Sequence, residues 1–377
     1  MKATAPEADP SCDDPQVQAR ARIALASVCE PGEAGLADRI DGRGPTAVLA
    51  SLLAGTAAGI PRAAAIGARL VELDLDAQLD RVAQLGARII VPGNREWPGR
   101  MDELGPHRPL ALWCWGQADL RLHALASVAM VGARACSRYG EMVSREWSAI
   151  LASQGVAVVS GGAYGIDGAA HRGALATDGI TICVLAGGVD NLYPRGHEGL
   201  LTEIMERGLL VSEAPLGETV RRRRFLTRNR LIAALAGATC VVEAAQRSGS
   251  VRTATYAAHL NRPVLAVPGP VTSETSVGTH QLIQDGVAML ASDVDDLRDA
   301  IGPVHVEPAK EVPRLPARMQ EVLDALPGPS RPGLAPEAVA IRSGLNRSET
   351  RTWLRKAAQQ GLAREDEQGL WVYVPSA

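Results

Sequence analysis

The densest chemistry in the chain lies in Arg221-Arg222-Arg223-Arg224-Phe225-Leu226-Thr227-Arg228-Asn229-Arg230, where six arginines fall within ten residues. Phe225 is the only phenylalanine in the sequence. Guanidinium groups neutralise phosphates, and an aromatic ring is a stacking platform worth about 1–3 kcal/mol per base. A single nucleic-acid strand needs both. The competing reading is a solvated charge run beside a core aromatic. Arg228 and Arg230 have a further alternative, pairing with carboxylates such as Glu213 or Glu243.

A second group of residues suits anions. Glycine-rich turns occur at Gly132-Ala133-Arg134, Ser160-Gly161-Gly162-Ala163-Tyr164-Gly165, Gly187-Gly188 and Ser248-Gly249-Ser250. Glycine lets backbone approach a ligand, and the free N–H groups of a following helix attract phosphate. The plainer alternative is tight turns without a ligand. A third candidate is the pair Asp167 and His171, spaced to share one helix face. It is either an acid–base pair or a helix-capping aspartate beside a structurally bonded histidine. No nucleophile or metal set accompanies it, so the structural reading is preferred, and no catalytic residue, metal or cofactor is expected.

The elements that must position these groups follow from the patterning. Candidate strands are Val128–Val131, Val156–Val159, Ile182–Leu185, Leu209–Val211, Cys240–Val242 and Val264–Val267. They are short, continuous and apolar, as in strands buried on both faces of a parallel sheet. Helical stripes lie between them, for example Val143, Trp147, Ile150 and Leu151. Alternation of the two predicts a Rossmann-like, doubly wound, mostly parallel α/β sheet. Its glycine turns then fall at the carboxyl ends of strands, where such sheets bind ligands. The dinucleotide fingerprint GxGxxG does not follow the first strand, and GxxxxGK[ST] occurs nowhere, so neither standard nucleotide signature is present.

The 377 residues exceed one ordinary domain. Residues 1–85 read as a small all-helical domain of sterile-alpha-motif or helix-hairpin-helix type. Residues 86–300 form the extended core, with further strand candidates at Arg88–Val91 and Ala111–Trp115. A Pro-rich linker covers 301–315. Residues 316–377 read as a winged helix, in which Arg347, Arg351, Arg355 and Lys356 decorate a helix whose Trp353, Leu354 and Ala357 face inward. DNA and protein contacts fit that module equally well. A net charge of −3 excludes a general polycation. Lysine occurs only at 2, 310 and 356, so arginine carries the positive charge. No run approaches the roughly 20 apolar residues of a membrane span, and the N-terminus lacks a signal-peptide layout, so a cytoplasmic protein is expected. The six cysteines are scattered, with Cys183 and Cys240 in apolar runs, and read as structural thiols.

The segment Val159–Leu175 resembles the signature SGxAxGIDxxAHxxAL of the DNA-processing protein A (DprA/Smf) family. Further motifs follow in the family's order: Gly187–Pro194, Ser212–Pro215, Phe225–Arg230, Glu243–Ser250, Ala266–Gly269 and Gly278–Gly286. The resemblance implies a single-stranded DNA-binding recombination mediator that protects incoming strands, helps load the RecA recombinase and works as a homodimer. It implies phosphate contacts from Arg134 and Arg222 and base stacking on Phe225. The full candidate set is Arg134, Gly161, Gly162, Arg222, Arg224, Phe225, Arg228, Asn229, Arg230, Ser248 and Gly249. Two positions depart from the family pattern: Ala133 replaces a serine, and Leu226 replaces the proline after the aromatic, which relaxes the backbone where a helix is expected to begin. Nucleotide phosphoribohydrolases share the architecture but carry PGGxGTxxE at the turn where this chain reads Ser248–Thr255 without the glutamate. A winged-helix regulator sensing a phosphorylated ligand is the third possibility.

Overall fold

The Val-rich runs become the centre of a nine-stranded sheet in a computed structural model of the chain. The structure describes residues 14–33, 35–302, 316–327, 333–359, 362–366 and 369–374. Cys12 and most of the Pro-rich linker lie outside these residues. Contacts divide the chain into two units, Met1–Val306 and Glu307–Ala377.

The first unit opens with five helices, α1 (Pro15–Val28), α2 (Leu36–Arg43), α3 (Pro45–Leu53), α4 (Ala63–Glu72) and α5 (Leu75–Gln84). Local chemistry sets their starts. Asp14 accepts from the Gln16 N–H ahead of Pro15, and Asp74 accepts from the Ala77 N–H. Then follow β1 (Arg88–Ile90), β2 (Leu112–Trp115), α6 (Leu120–Leu125), β3 (Ser127–Val131), α7 (Arg138–Ser153), β4 (Ala157–Ser160), α8 (Ile166–Leu175) and β5 (Thr181–Leu185). The unit continues through α9 (Glu198–Arg207), β6 (Leu209–Ser212), α10 (Arg222–Leu235), β7 (Ala238–Val241), α11 (Gly249–His259), β8 (Val264–Ala266), α12 (Val277–Gln284), β9 (Met289–Leu290) and α13 (Val294–Ile301).

The sheet order is β1-β2-β6-β5-β4-β3-β7-β8-β9. Strands β3 to β9 pair in parallel, whereas β1 and β2 extend one edge by antiparallel pairing, Trp113 opposite Ser212. The two strand candidates of the bridging stretch thus complete the sheet. Alternate strand residues feed opposite layers: Ala129, Val159 and Val184 pack with α10 and α11, while Val128, Val158 and Cys240 pack with α7, α8 and α13. Cys183 and Cys240 are fully buried, as small core residues.

The helical N-terminal segment differs from the expectation of a separate domain. Leu25, Ile40 and Leu49 share one apolar cluster with Leu185, Leu201 and Leu210, so these helices pack directly onto the sheet layer. An amphipathic helix shows which face is apolar but not what will cover it.

The second unit contains α14 (Ala317–Asp324), α15 (Pro336–Ser343), α16 (Arg347–Gln359) and the antiparallel pair β10 (Ala363–Glu365) and β11 (Trp371–Tyr373). Leu354 and Ala357 are buried and Trp353 half-buried, matching the expected inward face.

Candidate nucleic-acid interface

Chain direction across the sheet creates the site. From β3 the chain winds through β4 and β5 to one side, and from β7 through β8 and β9 to the other, although β3 and β7 are neighbours. Loops leaving these two strands therefore diverge and open a crevice beyond their carboxyl ends. Its volume is about 660 Å³, and Gly132, Arg134, Asp167, Phe225, Asn229 and Ser248 are among the residues that line it. The first turns of α8, α10 and α11 contribute to its walls. Their free N–H groups and positive dipole ends favour negative charge.

Helix α10 begins at Arg222 rather than near Leu226, so the arginine run is helical. At Leu226 the helix is already under way. Arg222, Phe225, Asn229 and Ile232 follow helical spacing and line the crevice. Arg221, Arg222 and Arg223 are exposed, and Phe225 is half-buried. The helix has no acidic residue in its first turn and no side-chain cap, which leaves its leading end positive.

The remaining arginines of the run are buried, and of these Arg228 also lines the crevice. Arg224 is 6 % exposed and donates to Glu218 at 2.7 Å and to Glu30 at 3.2 Å. Arg230 is 2 % exposed, forks onto both Glu213 oxygens at 2.8 and 2.7 Å, and also donates to the His107 carbonyl. Glu213 is thus one of the two carboxylates anticipated as partners. The other, Glu243, instead accepts from the Ser137 backbone N–H and hydroxyl. Arg228 is buried and donates to the Gly161 and Val184 carbonyls. Burial pushes its pKa down, opposed by the Asp167 carboxylate, and it remains a cation.

The glycines of the Ser160–Gly165 turn serve the protein's own packing. A Cβ on Gly161 would collide with the Arg228 guanidinium, and Gly162 adopts a φ of +71°. Ala163, rather than Gly161 or Gly162, lines the crevice. Across it, Ser248 caps α11 by accepting from the Ser250 N–H, and Asn229 donates to the Gly249 carbonyl at 3.1 Å.

The expectation that Asp167 caps α8 is corrected. The cap is Gly165, and Asp167, the second helical residue, reaches back to accept from the N–H groups of Gly161 at 3.2 Å and Ala163 at 3.4 Å. A turn that folds back over its helix start supplies closer donors than the helix does. Burial raises the Asp167 pKa, opposed by Arg228 and these backbone donors. His171 bonds Thr181 Oγ1 at 2.7 Å, as a structural histidine. Because Thr181 donates its own proton to the Val158 carbonyl, His171 Nδ1 is the donor. Burial lowers the His171 pKa to about 3, keeping it neutral and unsuited to acid–base work.

At the crevice mouth the Arg134 guanidinium carbon stands 5.1 Å from the Phe225 ring centroid. Arg134 is exposed and forms no ion pair among the described residues. Tyr193 extends the aromatic surface, its ring centroid 5.9 Å from that of Phe225. Sequence reasoning did not select Tyr193, although it lies within the motif Gly187–Pro194, which was the available signal. In the second unit Arg347 and Arg355 are exposed, Arg351 pairs with Glu337 at 2.8 Å, and Lys356 lies 4.3 Å over Trp353. Among the described residues no His, Cys, Asp or Glu group is arranged to hold a metal, and no helix is long and apolar enough to cross a membrane.

A Rossmann-like sheet whose switch-point crevice joins helix N-termini, exposed arginines and an aromatic ring belongs to the class of anion-binding α/β folds. The family model described as DNA recombination-mediator protein A matches residues 88–302. A Mycobacterium tuberculosis protein, provisionally named DNA processing protein DprA, is 42% identical over 371 residues, covering 94% of each chain. The chain belongs to the DprA/Smf family. Among solved structures, the DprA of Streptococcus pneumoniae has a TM-score of 0.64 at 30% identity, covering 74% of this chain and 97% of that one. The DprA of Helicobacter pylori, described for its single-stranded DNA binding mode, has a TM-score of 0.51 at 29% identity, over 56% and 94%.

Proposed function

We propose that the switch-point crevice binds single-stranded DNA without turnover, and that the protein acts as a recombination mediator. The observation that carries this reading is the exposed Arg134 guanidinium over Phe225 at the mouth of a crevice walled by helix N-termini. Arg134 and Arg222 neutralise phosphates, Phe225 takes a base, and the N-terminal ends of α8 and α11 face the backbone. Arg224, Arg228 and Arg230 support the site from within. Membership in the family and the strand binding described for the Helicobacter pylori relative support the same reading. On this reading the protein works as a homodimer and passes its strand to a RecA-type recombinase. Phosphoribohydrolase chemistry is disfavoured by a neutral, Thr181-bonded His171 and an Asp167 carboxylate committed to loop amides.

Calorimetric titration with an oligo-dT strand, the same strand in duplex form, and nucleoside monophosphates tests the proposal. The single strand is expected to bind most tightly, with no ribose phosphate released from any monophosphate. Tighter binding of a monophosphate, or its hydrolysis, would reassign the crevice.

A further inference from the structure

Tyr193, within the motif Gly187–Pro194, leads to a second cavity. Tyr193 is 45% exposed, and its hydroxyl makes no hydrogen bond among the described residues. Beyond it opens a space of about 670 Å³, with Trp115, Arg195, Glu198 and Thr219 in its walls. Tyr193 and Val220 line both this space and the switch-point crevice, so the two adjoin. Val220 immediately precedes the arginine run, which places the second space beside the exposed start of α10.

We propose that this second cavity is the next subsite for the same single strand, with Tyr193 stacking on the base adjacent to that held by Phe225. The inference rests on the strand-binding reading of the crevice. The two rings are inclined at 57° with centroids 5.9 Å apart. Rings so inclined and so close cannot hold one base flat between them, so each serves its own base.

Charge separates the two subsites. In the first, Arg134 and Arg222 are exposed and unpaired among the described residues, while Asp167 is buried and bonded to loop amides. In the second, the Asp190 carboxylate is committed to Arg81 at 2.8 Å and to the Gly217 N–H at 2.9 Å. Arg195 and Glu198 remain, both exposed and formally cancelling. The second subsite therefore adds stacking with little counterion release, and its contribution resists salt.

The test is anisotropy of labelled oligo-dT strands of increasing length, each over a salt series. Wild-type affinity is expected to rise once the strand outgrows the first crevice. Tyr193→Ala is expected to weaken binding of long strands about tenfold and of the shortest strands distinctly less. Its salt slope should be unchanged, and Tyr193→Phe should restore the affinity. A Tyr193→Ala protein that follows wild type at every length, while Phe225→Ala is weakened, overturns the second subsite and leaves the first standing. An equal loss at all lengths assigns Tyr193 to the first crevice and also overturns it. A wild-type chain that binds no strand overturns the underlying reading as well.

Discussion

Arg222 and Arg230 stand in the same run, yet one faces solvent and the other is sealed against Glu213. Helical phase does this sorting. Residues 222, 225 and 229 line the crevice, whereas the side chains of Arg224 and Arg230 find carboxylates inside the protein. Glu213 also accepts from the Gly32 N–H, so the buried pair binds the N-terminal segment to α10. Truncating Arg230 leaves the Glu213 carboxylate buried without its cation. Arg230→Ala is therefore expected to lose about 3–5 kcal/mol of stability in urea unfolding. A loss below about 1 kcal/mol, the range of surface pairs, would contradict the buried role. His171 gives a pH dependence. Its folded pKa is lowered, by burial first and then by the charges of His197, Arg228 and Arg172, from 6.5 to about 3. The folded state thus resists a proton that the unfolded chain accepts. Stability is fully present above pH 6.5 and is lost as pH falls towards about 3. His171→Gln should flatten this slope by up to about 1.4 kcal/mol per pH unit, with His197 contributing equally in both proteins. An unchanged slope would mean that His171 takes a proton in the folded state.

At the scale of elements, the sheet was legible because strands buried on both faces carry continuous apolar runs such as Val128–Val131 and Ile182–Leu185. The crevice was legible through its glycine turns. The start of α10 was not, because a cluster of arginines at a helix N-terminus opposes the dipole and reads as loop. That same opposition makes the helix end attractive to phosphate. The role of Gly161 was also hidden, since a bare Cα admits a ligand and a neighbouring side chain equally, and here it admits Arg228. Asp167 was misplaced because a short acidic side chain at a helix start serves either the helix or the turn before it. Ser248 is a more ordinary cap, accepting from the Ser250 N–H. Ser248→Ala is expected to cost about 1 kcal/mol in thermal or urea unfolding. A neutral substitution would show that the end of α11 is satisfied without it.

For the molecule as a whole, every residue assigned to the crevice lies in the unit Met1–Val306. The N-terminal helices belong to that unit through the cluster joining Leu25 and Ile40 to Leu185 and Leu210. A fragment ending at residue 306 is therefore expected to fold cooperatively and to keep the strand affinity of the full chain within a few-fold. Loss of strand binding in a folded fragment would place the decisive contacts in the second unit, whose exposed Arg347 and Arg355 are its own basic surface.

The central claim, that exposed arginines and one phenylalanine at the switch point hold a single strand, is tested most directly by oligo-dT anisotropy across a salt series. The proteins to compare are wild type, Arg134→Ala, Arg222→Ala and Phe225→Ala. The account predicts that each arginine variant lowers the salt slope by about 0.7, the release expected for one single-strand phosphate. Phe225→Ala should weaken binding about tenfold or more at an unchanged slope. Wild-type binding that none of the three substitutions alters would contradict the account and move the strand elsewhere on the protein.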